Sequence, residues 1–288
     1  MTGPSQWILR AYLRRKSRHA PPATGARIPP EDYVRAQYDS TPRLLAMLPG
    51  FDPSGKDIVS IGCGLGGRAA YLATRGARSV LGVDIDAADI DGARRWCAEL
   101  YPETRGVLSF RHVGEDEPLP SESVDIAMMF DSIEHVRSPV AVVRRAFDAL
   151  RPGGVLYAGS IGWYSPSGSH TGLFPWVNVF FSDEDILNAI RWRLVQPWYR
   201  PVRHDSDPPV RRWEWIYDLA DRPGEHLNKI TLAEVSKLLK YSKFSRTALH
   251  VYGIGQGSRI GRFTAPLARV PLLREMFHGY FVVECHKG

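Results

Sequence analysis

The sequence predicts an α/β domain with a mostly parallel, seven-stranded sheet and helices on both faces. From residue 57 onwards, short apolar segments alternate with glycine turns and helical patterns, which is typical of a parallel sheet. Hydrophobic side chains make up 44% of the 288 residues, enough for one large core. A long aromatic-rich stretch interrupts the alternation after the fifth strand, so we expect an insertion there.

The individual elements follow from this alternation. Predicted strands span residues 57–61, 79–83, 106–112, 125–130, 155–159, 247–252 and 280–285. Predicted helices span residues 67–74, 87–100, 139–150 and 232–242. The turn Arg151-Pro152-Gly153-Gly154 is expected to precede the fifth strand. We therefore divide the chain into an N-terminal arm (1–30), a core (31–160), an insertion (161–230) and a C-terminal segment that completes the sheet (231–288).

The insertion is unusually aromatic. It contains six of the eight tryptophans, namely Trp163, Trp176, Trp192, Trp198, Trp213 and Trp215. Two interpretations are open. The rings form a small core that packs the insertion on the sheet, or they line a lid that closes over an apolar or planar substrate and forms its pocket.

The N-terminal arm accounts for the whole net charge of +6. Residues 1–30 hold six basic residues and no acidic one, so 31 bases and 31 acids remain in the body. A neutral body argues against a nucleic-acid partner. Trp7, Ile8, Ala11 and Tyr12 recur at helical spacing, which predicts a basic amphipathic helix. We expect residues 1–20 to contact an anionic membrane surface peripherally or to cover the active site.

Cysteine usage favours a reducing compartment. The three cysteines have no paired spacing, unlike those of a disulfide framework. No apolar run approaches the roughly 18 residues of a membrane span, and the N-terminus lacks the apolar core of a signal peptide. We therefore expect a cytoplasmic protein.

A glycine-rich loop, Gly62-Cys63-Gly64-Leu65-Gly66-Gly67, directly follows the first strand. Such a loop lets backbone amides approach a ligand, and the helix that follows presents its positive end to an anion. Asp84 ends the next strand, where a carboxylate accepts ribose hydroxyls. These features also satisfy the G-x-G-x-x-G dinucleotide fingerprint, so alone they leave a nicotinamide cofactor open.

Four further blocks follow in a diagnostic order. They are Gly114-Glu115-Asp116-Glu117-Pro118-Leu119-Pro120, Ser123-Val124-Asp125-Ile126, Ile133-Glu134-His135-Val136 and Leu150-Arg151-Pro152-Gly153-Gly154. With the glycine loop and Asp84, they resemble the class I, Rossmann-like methyltransferase superfamily over residues 56–160 and, more weakly, 228–286. The resemblance implies S-adenosylmethionine as the cofactor of the core segment.

The resemblance also implies a role for individual positions. The loop from Gly62 to Gly66 would hold the methionine part of the cofactor, Asp84 the ribose, Ile85 one adenine face, and Glu115 with Asp116 the adenine amino group. The implied cofactor-binding residues are Ser60, Gly62, Cys63, Gly64, Gly66, Asp84, Ile85, Glu115, Asp116 and Asp131. One departure stands out, because Ser60 occupies a place that is usually acidic, which removes a charge from the methionine end.

The segment Asp131-x-x-Glu134-His135 offers candidates for the chemistry. It resembles the E-x-x-E-H of the ubiquinone-biosynthesis and small-RNA 2′-O-methyltransferases, which implies a site for Mg²⁺ formed by Asp131, Glu134, His135 and His170. Alternatively, His170, His135 or Asp131 acts as a catalytic base without a metal, or these side chains only pack and position. His204 and His226 are weaker candidates.

The prediction for function is methyl transfer from S-adenosylmethionine to a small-molecule acceptor in bacterial specialised metabolism, on oxygen rather than nitrogen or carbon. Three alternatives stay open. They are an enzyme that keeps this pocket but performs other chemistry such as cyclisation, a nicotinamide-dependent oxidoreductase, and a binding protein docked on a membrane. The acceptor and the oligomeric state are not specified by these motifs.

Overall fold

A computed structural model describes residues 3–19, 29–171, 173–199, 214, 216–217, 226–255, 259–271 and 273–288. Seven strands form one sheet in the order β3-β2-β1-β4-β5-β7-β6. The strands are β1 Asp57–Ile61, β2 Ser79–Asp84, β3 Leu108–His112, β4 Val124–Phe130, β5 Leu150–Ser160, β6 Arg246–Gly253 and β7 His278–His286. Only β7 runs antiparallel to its neighbours within this sheet. The predicted fold class is confirmed.

Helices follow most strands. The α-helices are α1 Pro4–His19, α2 Pro30–Leu45, α3 Gly67–Thr74, α4 Ala87–Leu100, α5 Pro139–Ala149, α6 Val177–Phe180, α7 Asp183–Leu194, α8 Leu232–Lys240, α9 Arg259–Leu267 and α10 Arg274–Phe277, and the 3-10 helices are Pro102–Thr104 and Ile133–His135. Local chemistry sets several of their first residues. Asp86 caps α4, Ser138 caps α5, and Thr231 with Glu234 forms a capping box on α8.

The two sheet faces are both buried. Neighbouring residues of β1 point to opposite sides, so Ile58 and Val59 belong to different cores. The core around Val59 includes α5 and α8 residues, and the core around Ile58 includes Leu72 of α3. α2 lies against α3 so closely that a Cβ on Gly67 would stand 2.3 Å from the Val34 carbonyl oxygen. Both faces of the sheet's central strands are thus covered by helices.

The fifth strand is longer than predicted. β5 begins at Leu150 and runs through the predicted turn, because Leu150 pairs with Val124 before the register shifts and Val155 pairs with Ile126. Gly153 accommodates the irregularity with φ 78°. The prediction of a turn at residues 151–154 was therefore wrong, since a β-bulge keeps the segment in the sheet.

The predicted N-terminal helix forms, and the side chains that it buries are not those of Trp7 and Ile8. Leu9 and Leu13 are buried and join the core of α7, whereas Trp7 is 71% exposed and Ile8 48% exposed. Gln6 Nε2 donates to the Asp185 backbone oxygen over 2.7 Å, which fixes the contact with α7. Periodicity showed a helix, but the position of α7 decided which side is inside.

The described tryptophans of the insertion serve packing. Trp163 clusters with Ile216 and Leu227. Trp176 Nε1 donates to the Met276 carbonyl oxygen over 2.8 Å, and the Arg10 guanidinium lies 5.1 Å from the centre of the Trp192 ring. Trp213 and Trp215 lie outside the described residues. Within the described part of the chain, the aromatic core is thus the better supported interpretation of this segment.

The structure also bears on membrane spans and on cysteine pairing. Among the described residues, no helix is long and apolar enough to cross a membrane. Cys63, Cys97 and Cys285 are all free and buried, and burial raises the pKa of Cys97 and of Cys285 to about 12.

Candidate functional site

A cavity of about 640 Å³ opens at the carboxyl ends of β1, β2 and β4. This is the edge where open α/β sheets bind ligands. Loops after these strands supply much of its wall, and α2 adds Tyr33 and Gln37. The cavity volume suits a small molecule and its cofactor.

The glycine loop forms a tight floor. Gly62 has φ 68° and Gly64 φ 50°, conformations that favour glycine. A Cβ on Gly62 would meet the Ser132 Oγ at 2.4 Å, so the loop and the segment after β4 meet only because no side chain is present. The Gly62 amide donates to the Val83 carbonyl oxygen over 2.9 Å, which joins the loop to the end of β2.

Asp84 is oriented by backbone amides. Its Oδ2 accepts from the Gly64 amide over 2.8 Å, and its Oδ1 accepts from the Asp86 amide over 3.0 Å. Burial raises the pKa of Asp84, against the lowering effect of these hydrogen bonds. The carboxylate lines the cavity beside Ile85 and presents acceptors for a diol.

The far end of the cavity holds a second oriented carboxylate. Glu115 Oε1 accepts from the Arg137 amide over 2.7 Å, and the Arg145 guanidinium donates to the Glu115 carbonyl oxygen. Asp116 lines the same wall. This end offers acceptors for an amino group, as expected for adenine.

The structure separates the ten predicted cofactor residues into two groups. Those that line the cavity are Gly62, Gly64, Asp84, Ile85, Glu115, Asp116 and Asp131, whereas Ser60, Cys63 and Gly66 lie outside its lining. Gly66 instead caps α3 with φ 81°. Ser60 and Cys63 border a separate void of about 10 Å³ that also touches Arg68. The carboxylates of Asp84 and Glu115 provide hydrogen-bond acceptors that fit a nucleoside. The residues present therefore suit the implied cofactor.

Asp131 is held by two residues that sequence reasoning missed. The Arg68 guanidinium pairs with its Oδ2 and also donates to the Phe130 carbonyl oxygen over 3.0 Å. The Tyr280 hydroxyl donates to Asp131 Oδ1 over 2.8 Å. Burial and the nearby Asp131 carboxylate raise the pKa of Tyr280 well above its ordinary value. Asp131 itself has φ 53°, a conformation that a non-glycine residue rarely adopts.

No sequence pattern marked these two partners. Arg68 follows the glycine loop as the second residue of α3, a position at which the helix dipole does not favour a cation, but its spacing does not identify Asp131 as the partner. Tyr280 lies 149 residues from Asp131 along the chain and reaches it only because β7 inserts beside β5.

Glu134 is the most deeply buried acid of this wall. Its side chain is 4% exposed, and its Oε2 has no hydrogen-bond partner. Burial, followed by repulsion from Asp131, raises the pKa of Glu134 to about 8. The carboxyl is thus mainly protonated at neutral pH and still borders the cavity.

Two imidazoles complete this side of the cavity. His135 Nδ1 lies 2.8 Å from the His226 carbonyl oxygen, so that nitrogen carries the proton and Nε2 holds the lone pair of the neutral ring. His170, with φ 53°, places its ring 5.4 Å from that of His135 in an edge-on contact. It is the backbone carbonyl of His226, rather than its ring, that meets His135. His204 lies outside the described residues.

The predicted metal centre is not formed. Among the residues that the structure describes, no three His, Cys, Asp or Glu side chains come together as metal ligands. Asp131 is paired with the Arg68 guanidinium, which offsets the negative charge that Mg²⁺ requires. The residues present therefore do not fit a divalent ion.

The comparisons agree with this geometry. A family model described as a methyltransferase domain matches residues 33–244. A probable S-adenosylmethionine-dependent methyltransferase of Mycolicibacterium smegmatis is 38% identical over 103 residues, 35% of this chain and 37% of that protein. A ubiquinone biosynthesis O-methyltransferase of Neisseria meningitidis is 29% identical over 127 residues, 43% of this chain and 52% of that protein.

A solved structure shows the same fold. An S-adenosylmethionine-dependent methyltransferase from Mesorhizobium loti aligns with a TM-score of 0.51 and 20% identity over 86% of this chain and 97% of that chain. At this identity the likeness concerns fold alone. The matched stretch spans about a third to a half of the length of the two curated relatives.

Proposed function

The chain belongs to the S-adenosylmethionine-dependent methyltransferase family, and we propose that it transfers a methyl group from this cofactor to an oxygen of a small-molecule acceptor. The observation that carries the proposal is a single cavity that is lined by the carboxylates Asp84 and Glu115 and by His135. A concave site of about 640 Å³ in a chain whose body is neutral favours a small acceptor over a nucleic acid.

The cofactor is proposed to lie along the ends of β1 and β2. Asp84 accepts the ribose hydroxyls, and Glu115 accepts the adenine amino group. When bound, S-adenosylmethionine supplies an electrophilic methyl group on sulfonium. Arg68 and Asp131 provide a cation and an anion on the cavity wall, so they match the carboxylate and ammonium of an amino acid. This pair takes over the role that the missing acid at Ser60 has in the family.

His135 is proposed as the general base. Because its Nδ1 proton is committed to the His226 carbonyl oxygen, Nε2 is the nitrogen that accepts the proton of an acceptor hydroxyl. Glu134 Oε1 lies 3.9 Å from this nitrogen, so a buried carboxyl adjoins the position to which the acceptor proton moves. His170 borders the same space and orients the acceptor.

Placement in the bacterial cytoplasm, in specialised metabolism, belongs to the same proposal. Its support is indirect: the three cysteines are unpaired and buried. The aromatic insertion contributes Ile161 and His170 to the described lining of the cavity. The acceptor is therefore expected to contact the beginning of that segment, residues 161–170.

The test uses the full chain with S-adenosylmethionine and a panel of phenols, alcohols and amines. We expect S-adenosylhomocysteine to form when at least one hydroxyl compound is present. We also expect calorimetry to detect binding of S-adenosylhomocysteine and no binding of NAD. Product that forms equally with S-adenosylhomocysteine in place of S-adenosylmethionine would indicate cyclisation or other chemistry instead. Absence of cofactor binding would overturn the proposal altogether.

A further inference from the structure

A second cavity lies away from the cofactor site, between α5 and α8. Its volume is about 810 Å³, within the range of pockets that hold small ligands. The floor is apolar and comes from both helices and from the segment after α8, with Val143, Phe147, Leu238 and Phe244. Phe147 and Phe244 meet edge-on with ring centres 5.1 Å apart, which closes one side of the floor. We call this feature the α5–α8 groove.

Apolar side chains at the groove's rim face solvent. Val140 is 68% exposed and Tyr241 is 72% exposed. One stands on each wall, so an apolar ligand that enters the groove gains contact from both sides. Adjoining exposed apolar residues over an apolar floor indicate a binding surface rather than ordinary surface variation.

The charges around the groove have one dominant sign. Four basic residues line it, Arg137, Arg144, Lys237 and Lys243, against one acidic residue, Glu234. Glu234 is occupied as the N3 residue of the α8 capping box, where its Oε2 accepts from Thr231. Arg144 approaches Asp148 at 4.0 Å. Within the described part of the chain, the ion pairs include none for Lys237 or Lys243.

We propose that the α5–α8 groove binds a small amphipathic anion, with a hydrocarbon body on the floor and a carboxylate against Lys237 and Lys243. The cationic rim provides the charge complement that a neutral apolar ligand does not need. This site is distinct from the methyl-transfer cavity and does not depend on which acceptor is methylated.

The groove shares a wall with the cofactor cavity. Arg137 lines both, and its amide donates to the Glu115 carboxylate, which is proposed to accept the adenine amino group. Asn228 lines the groove and donates to the carbonyl oxygens of Ile133 and Val136 over 2.7 and 2.9 Å. A ligand that orders Arg137 and Asn228 therefore also orders the segment on which the cofactor rests. By thermodynamic linkage, bound anion changes the affinity for the cofactor by the same factor by which bound cofactor changes the affinity for the anion.

Dodecanoate is the probe, titrated calorimetrically into the full chain below its critical micelle concentration and in the presence of saturating S-adenosylhomocysteine. We expect saturable one-site binding that weakens as salt rises. Dodecanol and acetate, which each lack half of the amphipathic character, should bind at least about 10-fold more weakly. Saturating S-adenosylhomocysteine blocks the cofactor half of the methyl-transfer cavity, and variants of groove residues distinguish the α5–α8 groove from the acceptor half that stays open.

Two variants assign the binding to the groove. Lys243→Glu should weaken dodecanoate binding about 10-fold, and Tyr241→Ser, at an exposed position that the fold tolerates, should weaken it about fivefold. The matched control is Lys56→Glu, which makes the same charge change at an exposed position outside the groove lining and should leave the affinity within about twofold.

Three outcomes would overturn the proposal. One is no dodecanoate binding to the folded protein. Another is binding that is unchanged in Lys243→Glu and Tyr241→Ser, which would place the anion elsewhere. The last is a concentration-dependent dimer that Tyr241→Ser dissociates and dodecanoate does not, which would make the groove an interface between two copies of the chain.

Discussion

The cavity has two halves that are built in opposite ways. In the cofactor half, Asp84 is oriented by the Gly64 amide 20 residues away and by its own near neighbour Asp86. In the acceptor half, which is also proposed to receive the amino-acid end of the cofactor, Asp131 is held by Tyr280 across 149 residues, and His135 by the His226 carbonyl across 91. The first half is a local device of strand ends and backbone amides, whereas the second exists only when distant segments have assembled.

The halves also differ in charge and backbone geometry. The acceptor half contains a buried carboxyl, Glu134, whose Oε2 has no hydrogen-bond partner, and two non-glycine residues with positive φ, Asp131 and His170. Such features cost free energy and persist where surrounding structure enforces them. The features that lower stability therefore lie in the half where the chemistry is proposed, and the cofactor half is built in an ordinary way. The following predictions test this contrast.

The largest effect is expected at His135. His135→Asn removes the base but keeps an amide donor for the His226 carbonyl, so turnover should fall about 10²- to 10⁴-fold with cofactor affinity unchanged. Single-turnover kinetics and calorimetry with S-adenosylhomocysteine measure the two quantities. His250→Ala, on β6, is the control. Equal losses in both variants, or full activity in His135→Asn, would remove His135 from the mechanism.

Glu134 should make stability depend on pH. Its folded pKa of about 8 lies above the ordinary value of 4.5, so the folded state holds the proton more tightly than the unfolded chain. The stabilisation of the folded state by this proton is complete below pH 4.5 and is lost as pH rises to about 8. Between these two values the free energy of unfolding falls by about 1.4 kcal/mol per pH unit. Urea unfolding of the wild type and Glu134→Gln should diverge by this slope. Parallel curves would show that the carboxyl is ionised in the fold.

Asp84 tests the cofactor half. Asp84→Asn keeps the size but loses a charge-assisted acceptor, so the Kd for S-adenosylhomocysteine should rise roughly 30-fold. Asp91→Asn is a matched carboxylate change on the exposed side of α4 and should bind the cofactor normally. If the two variants bind alike, Asp84 is not the ribose acceptor.

Tyr280 should give the smallest effect and shows how far the two halves are coupled. Tyr280→Phe removes the hydrogen bond to Asp131, worth about 1 kcal/mol, so cofactor affinity should fall about fivefold. Tyr252→Phe removes a comparable hydroxyl that donates to the Met47 carbonyl oxygen away from the cavity. A change of the same size in both variants would mean that the Tyr280 hydroxyl acts on overall stability alone.

The sequence predicts the fold well, and it names residues that the structure brings together in one cavity. Strand and helix patterns predicted seven strands in a mostly parallel sheet, and Gly62, Asp84 and Glu115 were named from spacing and resemblance because such contacts depend on short segments. Prediction failed where a partner decides the outcome. The inward face of α1, the bulge that extends β5 and the ion pair that disables a metal site at Asp131 each depend on a neighbour distant in sequence.

The amino-acid sequence by itself determined the family, the sheet and the line along which the cofactor is proposed to lie, because periodicity and glycine spacing act within a few residues. The tertiary structure alone decided that Arg68 and Tyr280 hold Asp131, that Glu134 keeps its proton near neutral pH, and that α5 and α8 leave a cationic groove. Burial, pairing and pKa depend on what surrounds a side chain, and in this chain those surroundings come from segments distant in the sequence, 63 residues apart for Arg68 and Asp131 and 149 for Asp131 and Tyr280.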